Sequence, residues 1–160
     1  MNRIRIVAVG KIKEKYLTEG IREFAKRLGP LCKLEFVEID EERMPDEPSP
    51  AEKEKVLAAE GERLLKKVPA ATYLIVLDVA GQSISSEELA KKIAGLGTAG
   101  HGDITFLIGG AFGLSPAVIA AARERLSFSR MTFTHQMIRL LLVEQIYRAF
   151  KIIRGEKYHW

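Results

Sequence analysis

Ile104-Thr-Phe-Leu-Ile-Gly-Gly-Ala-Phe-Gly-Leu-Ser-Pro116 decides how the rest of the chain is read. Ile104–Ile108 is an apolar run of strand length. Gly109, Gly110 and Gly113 break it, and Ser115-Pro116 follows as an N-cap and a first helical residue. A strand that ends in glycines ahead of a helix is where open α/β sheets bind ligands. The spacing is G-G-x-x-G, not the G-x-G-x-x-G of dinucleotide folds, and no Gly-Lys-Ser/Thr follows as in a Walker loop. Taken alone, the turn reads either as an ordinary strand–helix connection or as a ligand loop.

Upstream of this turn the same alternation recurs. Arg3–Val9 reads as a strand ended by Gly10. Residues 13–28 place Tyr16, Leu17, Ile21, Phe24, Ala25 and Leu28 at helical spacing, and Gly29-Pro30 stops the helix. Lys33–Ile39 reads as a strand, and the acidic stretch 40–48 with its two prolines as a loop. Ser49-Pro-Ala-Glu52 and Ser85-Ser-Glu-Glu88 are capping boxes that open helices to about Lys67 and Ala94. Between them, Tyr73–Leu77 is a continuous apolar strand, followed by an expected turn over 78–83. The glycines of 95–102 predict a loop. Downstream, the pattern predicts a helix over 115–126, a strand near 128–133 and a helix over 136–153. This β-α alternation argues one α/β domain over residues 1–160, with a mainly parallel sheet flanked by helices on both faces. The rarity of knots argues, on pattern alone, for an unknotted path.

Composition narrows the function classes. No apolar run approaches the length of a membrane span, and the N-terminus lacks the form of a secretory signal. A lone Cys32 and three scattered histidines offer no disulfide and no metal-ligand spacing. A cytoplasmic protein without metal is the expectation. The net charge of +4 is unevenly spread: residues 1–122 hold 17 Lys+Arg against 18 Asp+Glu, and residues 123–160 hold 8 against 3. A C-terminal basic excess suits a polyanion, nucleic acid first, or a solvated basic helix face.

Several residues carry two readings. Asp78, at the end of the third strand, either contacts a ligand hydroxyl or caps its own turn. Met131 and Phe133 either wall an adenine or fill the core. The helix over 136–153 is apolar on most sides, so part of it is expected to bury against a second subunit. Arg148 is a candidate RNA contact or a surface partner of Glu144 at i,i+4. In the tail, Tyr158, His159 and Trp160 offer stacking faces for bases, with Arg154 and Lys157 for phosphates. Alternatively Trp160 only pins the chain end.

Five motifs occur together and in order: Val-Ala-Val-Gly-Lys at 7–11, Leu-Ile-Gly-Gly-x-x-Gly-Leu-Ser at 107–115, Ser-x-x-Thr-x-x-His at 129–135, Arg-x-Leu-Leu-Val-Glu-Gln-Ile-Tyr-Arg-Ala at 139–149, and Tyr-His at 158–159. With these the chain resembles, over essentially its full length, the RlmH family of SPOUT-class methyltransferases, which methylate N3 of a pseudouridine in large-subunit ribosomal RNA. The resemblance implies a homodimer with a trefoil knot in its C-terminal half. It implies S-adenosyl-L-methionine held at three loops: Leu77; Gly109, Gly110 and Gly113; and Ser129, Arg130, Met131, Thr132, Phe133 and Thr134. Phe112 and Gln136 depart from residues common in that family, but no glycine of the turn is lost.

N3 of pseudouridine is a weakly acidic imide nitrogen that must lose its proton for methyl transfer. His135, Arg139 and His159 are candidates for removing that proton or stabilising the anion, and Tyr158 for stacking on the target base. The resemblance implies that the tail completes the neighbouring subunit's site. The small basic excess of the C-terminal region fits an rRNA target within an assembled ribosome better than naked RNA, with free rRNA, a subunit and the whole ribosome left open as substrates. Two other classes remain open: a ribosome- or RNA-binding factor without methyl transfer, and a small-molecule nucleotide enzyme whose tail serves only dimer contacts.

Overall fold

The computed structural model describes residues 2–159. Five strands form one sheet in the order β2-β1-β4-β3-β5, and every neighbouring pair is parallel. They are β1 (Arg3–Val9), β2 (Lys33–Ile39), β3 (Tyr73–Ser83), β4 (Asp103–Ile108) and β5 (Glu124–Ser127). The helices between and after them are α1 (Lys15–Leu28), α2 (Pro50–Lys66), α3 (Ser86–Thr98), α4 (Pro116–Ala121) and α5 (Met137–Ile153). β4 is the central strand, covered on both faces, which explains its unbroken apolar run.

Side chains alternate across the sheet. Ile4, Ile6, Ile75, Ile104 and Phe106 face the layer of α1, α3 and α5 and meet Ile93, Val143 and Ile146 there. Val7, Val9, Leu74, Val76 and Leu107 face α2 and α4, meeting Leu64 and Val118. α5 lies between α1 and α3. Leu142, Val143, Ile146, Tyr147, Ala149 and Phe150 are therefore buried within the chain itself. The other apolar residues of the helix, Met137, Ile138, Leu140, Leu141, Ile152 and Ile153, are not fully covered by the chain.

Both capping boxes form: Ser49 Oγ accepts from Glu52 N–H at 3.2 Å and Glu52 accepts from Ser49 N–H at 3.0 Å. Ser85 and Glu88 repeat the exchange at 3.0 and 3.3 Å. Four boundaries differ from the sequence expectation. α3 runs through Gly95 to Thr98, because Leu89, Ile93 and Leu96 keep one face anchored in the core and Gly95 faces open space. The expected turn over 78–83 is the continuation of β3, with a register break between Leu77 and Gln82. Gly81 permits that path, since a Cβ there would lie 2.7 Å from the Arg125 carbonyl. α4 ends at Ala121, where Ala122 turns extended and Arg123 N–H bonds Leu74 O at 2.8 Å to join the sheet. The last strand is consequently 124–127, not 128–133.

Residues 128–134 form an irregular loop because their side chains satisfy the backbone locally. Ser127 Oγ donates to Ser129 O at 3.0 Å, Met131 N–H to Ser129 Oγ at 2.9 Å, and Met137 N–H to Thr134 Oγ1 at 3.1 Å.

Candidate functional site

The order reversal that places β4 between β1 and β3 puts the carboxyl ends of β3, β4 and β5 side by side. Ligands bind at such a point in open parallel sheets. A cleft of about 620 Å³ lies there. One wall is Leu77, Asp78 and Val79, a second is the glycine turn, and a third is the 127–135 loop, with Ile108, Leu126 and Ile138 as the floor.

Of the residues expected to hold a cofactor, Leu77, Gly109, Gly110, Gly113, Ser129, Met131, Thr132, Phe133 and Thr134 all line this cleft. Arg130 does not line it; its side chain is exposed on the same loop. Ser127, Phe128, Val79 and Ile138 also line it and were not singled out from sequence. Phe128 and Ile138 sit among apolar runs that look alike whether they face core or cleft.

Each glycine has a separate geometric role. A Cβ on Gly109 would stand 2.3 Å from the Gly113 carbonyl oxygen, so the turn closes only on a bare α-carbon. Gly113 has φ +88°, where a side chain is strained, and its N–H bonds Gly110 O at 3.1 Å. Gly110 is wedged between β1 and α2: a Cβ there would lie 3.0 Å from Glu60 Oε1 and 3.2 Å from Val9 Cγ1. Met131 is 76% exposed and Phe133 40% exposed, so neither fills the core. Both present apolar surface to the cleft.

Asp78 accepts from Ala80 N–H at 3.1 Å and pairs with Arg125 at 2.5 Å. It caps its own turn and ties β3 to β5 while also lining the cleft. His135 stands half-buried on the cleft wall. Burial, together with the nearby Arg139 guanidinium, pulls its imidazole below the ordinary pKa, so the ring is neutral at pH 7. Among the described residues that line the cleft, it is the one side chain suited to exchange protons near neutrality.

The other three candidates for chemistry lie elsewhere. Arg139 is 2% exposed and turned toward β1 and β2, where Nη1 donates to Glu38 Oε2 at 2.9 Å and Nη2 to the Val9 carbonyl. Tyr158 and His159 fold back onto their own α5 and α3. His159 Nδ1 lies 3.1 Å from Arg148 Nη1, and Nε2 lies 2.5 Å from Glu87 Oε1. None of the three lines the cleft. The readings of Trp160 fall outside the described residues.

The basic C-terminal quarter is largely internally paired. Arg125 pairs with Asp78, Arg148 with Glu144, and both Lys151 and Arg154 with Glu156. Arg123 lies over the Tyr73 ring, 5.2 Å from its centroid. Among the described residues of this region, Arg130 and Lys157 are left without a carboxylate or aromatic partner.

The cleft suits an S-adenosyl-L-methionine-sized ligand. Its volume falls within the range of about 300–1,000 Å³ typical of small-molecule sites. Its walls offer apolar side chains and glycine backbone, and a Cβ at Gly109 would obstruct the turn that shapes it. Among the described residues no three His, Cys, Asp or Glu side chains cluster as a metal site. No helix among them is long and apolar enough to cross a membrane.

The profile of a family described as "Predicted SPOUT methyltransferase" matches residues 2–159. The chain is 58% identical over 157 residues to a protein of Halothermothrix orenii named ribosomal RNA large subunit methyltransferase H, covering 98% of this chain and 99% of that one. It is 53% identical over 160 residues to the protein of the same name from Pelotomaculum thermopropionicum, covering both chains fully. Among solved structures, a probable methyltransferase from Bordetella pertussis superposes with a TM-score of 0.58 at 16% identity, over 93% of this chain and 96% of that one. A probable methylase family protein from Haemophilus influenzae superposes with a TM-score of 0.54 at 18% identity, over 98% of this chain and 70% of that one. These two likenesses bear on the fold.

Proposed function

Because the chain belongs to the SPOUT methyltransferase family, we propose that it transfers a methyl group from S-adenosyl-L-methionine to N3 of a pseudouridine in large-subunit ribosomal RNA. The reading includes a single domain, a C-terminal trefoil knot, a cytoplasmic homodimer and an assembled ribosome as substrate. The observation that carries it is the convergence of three separate loops on one apolar cleft, at the residues that the family resemblance marks for the cofactor. Relatives above 50% identity bear the name of a large-subunit rRNA methyltransferase, which supports the choice of substrate.

When bound, S-adenosyl-L-methionine supplies an electrophilic methyl group on a positively charged sulfur. The chain's own residues do the rest. Main-chain groups of the glycine turn and of the 128–134 loop bind and orient the cofactor. Leu77, Met131 and Phe133 exclude water and hold the reacting partners in line. His135, neutral at working pH, accepts the N3 proton at its unprotonated ring nitrogen. Tyr158 and His159, remote from the cleft of their own chain, act at the cleft of the second subunit, stacking on the target base and stabilising its anion.

Calorimetric titration with S-adenosyl-L-methionine, followed by methyl incorporation into ribosomes that lack the modification, tests this reading. Saturable binding that Gly110→Arg removes, with the label mapped to one pseudouridine, is the expected result. Saturable binding with no RNA-dependent turnover would replace it with the binding-factor reading. Absence of binding both free and on ribosomes would overturn it.

A further inference from the structure

The carboxyl end of β1 runs into a short segment, residues 10–14, whose backbone is held at three consecutive positions by side chains from other elements. Gln136 Nε2 donates to Lys11 O at 3.2 Å, and Gln136 Oε1 accepts from Lys13 N–H at 3.2 Å. Between them, Glu38 Oε2 accepts from Ile12 N–H at 3.2 Å. The same carboxylate oxygen accepts from Arg139 Nη1 at 2.9 Å, and Arg139 also donates to the Val9 carbonyl at the end of β1. Gly10, with φ +82°, makes the bend possible. Ile12 points into the core, so Lys11 and Lys13 on either side of it point out and are exposed.

Neither lysine pairs with a carboxylate among the described residues. Gln136, which grips the segment, directly follows His135 on the cleft wall, and the Glu41 carboxylate and then the Lys13 ammonium act in opposite senses on the His135 ring. The backbone that carries these two exposed cations is therefore fixed to Gln136, next to the His135 wall of the cleft, with the Glu41 carboxylate beside Gly10. The basic tail offers far less, since most of its charge is consumed within the chain.

We propose that Lys11 and Lys13 form a phosphate-binding edge of the RNA site, gripping the backbone beside the target nucleotide. In this arrangement Glu38, Gln136 and Arg139 are positioning residues that fix the edge relative to the cleft. The inference rests on the rRNA methyltransferase reading and adds to it where the RNA backbone lies. Lysine contacts to phosphate set affinity and register without reading sequence, and each contributes to the salt dependence of binding.

The test is the affinity of the full chain for ribosomes lacking the modification, measured against salt, for wild type and for Lys11→Ala/Lys13→Ala. Methyl incorporation and S-adenosyl-L-methionine affinity are measured in parallel. A charge-matched control, Lys26→Ala/Lys67→Ala, removes two cations from the C-terminal ends of α1 and α2, at the opposite end of the sheet from the cleft. The expected result is an affinity loss of roughly tenfold or more, with the slope of log K against log salt reduced by about 1.4–2. The change should appear in KM, with kcat and cofactor affinity unmoved, and the control should match wild type. Ribosome affinity and salt slope unchanged in the double variant, or lowered equally in the control, would overturn the edge. Because binding is read separately from turnover, a wild type that binds ribosomes through these lysines but transfers no methyl group would sustain the edge and overturn the function. A wild type that neither binds nor methylates ribosomes would overturn both.

Discussion

The ring of Tyr158 stands edge-on to that of Tyr147, with centroids 4.8 Å apart and planes at 81°. The Arg148 guanidinium also lies 4.8 Å from the Tyr158 centroid. Each contact contributes about 0.5–1.5 kcal/mol, so Tyr158 is docked against α5. The last residue of the chain that lines the cleft is Ile138. The motif that suggested catalysis and the cleft that suggests cofactor binding are thus separated within one chain.

That separation predicts complementation between subunits. Deleting Tyr158–Trp160 is expected to abolish methyl transfer and leave S-adenosyl-L-methionine affinity unchanged. Mixing the truncated chain with Gly110→Arg chains, which keep the tail but lose the cofactor site, is expected to restore part of the activity. Full activity of the truncation would remove the tail from the mechanism. An inactive truncation that mixing fails to rescue would place its action within its own chain.

The strands and caps were legible because each rests on a local signal. Ile104–Ile108 is apolar on both faces because β4 is covered on both sides, and Ser49 and Ser85 cap helices through contacts three residues away. The loops that form the cleft were legible only in combination: Gly109 and Gly110 are an ordinary turn until Leu77 and the 128–134 loop are brought beside them. Arg139 was misleading because its partners, Glu38 and Val9, lie 101 and 130 residues away. Nothing in a linear pattern distinguishes an arginine that faces substrate from one that clamps a distant backbone. The 128–133 segment has the alternation of a strand, but Glu124–Ser127 had already taken the edge of β3, and alternation does not reveal which stretch wins.

The glycines allow a paired prediction. At Gly109 an added methyl meets backbone at 2.3 Å, so Gly109→Ala is expected to destabilise the fold by about 1–3 kcal/mol. Cofactor affinity should fall at least tenfold, or about 1.4 kcal/mol. At Gly95, inside α3, an added methyl meets nothing within 4 Å. Gly95→Ala should therefore stabilise by about 0.5–1 kcal/mol through helix propensity and leave cofactor affinity unchanged. Urea unfolding and calorimetry read both variants, and similar effects from the two would refute the geometric distinction.

Cys32 provides a probe of the opposite end of the sheet. It is 2% exposed, and burial pushes its thiol up to about 11. Because the thiolate is the reactive species, the native protein is expected to resist alkylation at pH 8. Modification should then track unfolding as urea is raised. Rapid labelling of the folded chain would contradict the packing around β2.

His135 ties stability and activity to pH in the same direction. Its ring takes up a proton at the ordinary 6.5 when the chain is unfolded, but only at lower pH when folded, because burial and the Arg139 charge oppose protonation. Between those two values the unfolded chain binds more protons, so stability rises with pH. The contribution is complete above about 6.5 and is lost as pH falls through the folded pKa. His135→Gln is expected to flatten the stability curve across that window. If the neutral ring is the proton acceptor, kcat/KM for wild type should fall on the acid side with an apparent pKa below 6.5, and this limb should disappear in His135→Gln along with most of the rate. A flattened stability curve with the acid limb intact would confirm the burial of the ring but assign proton removal to another group.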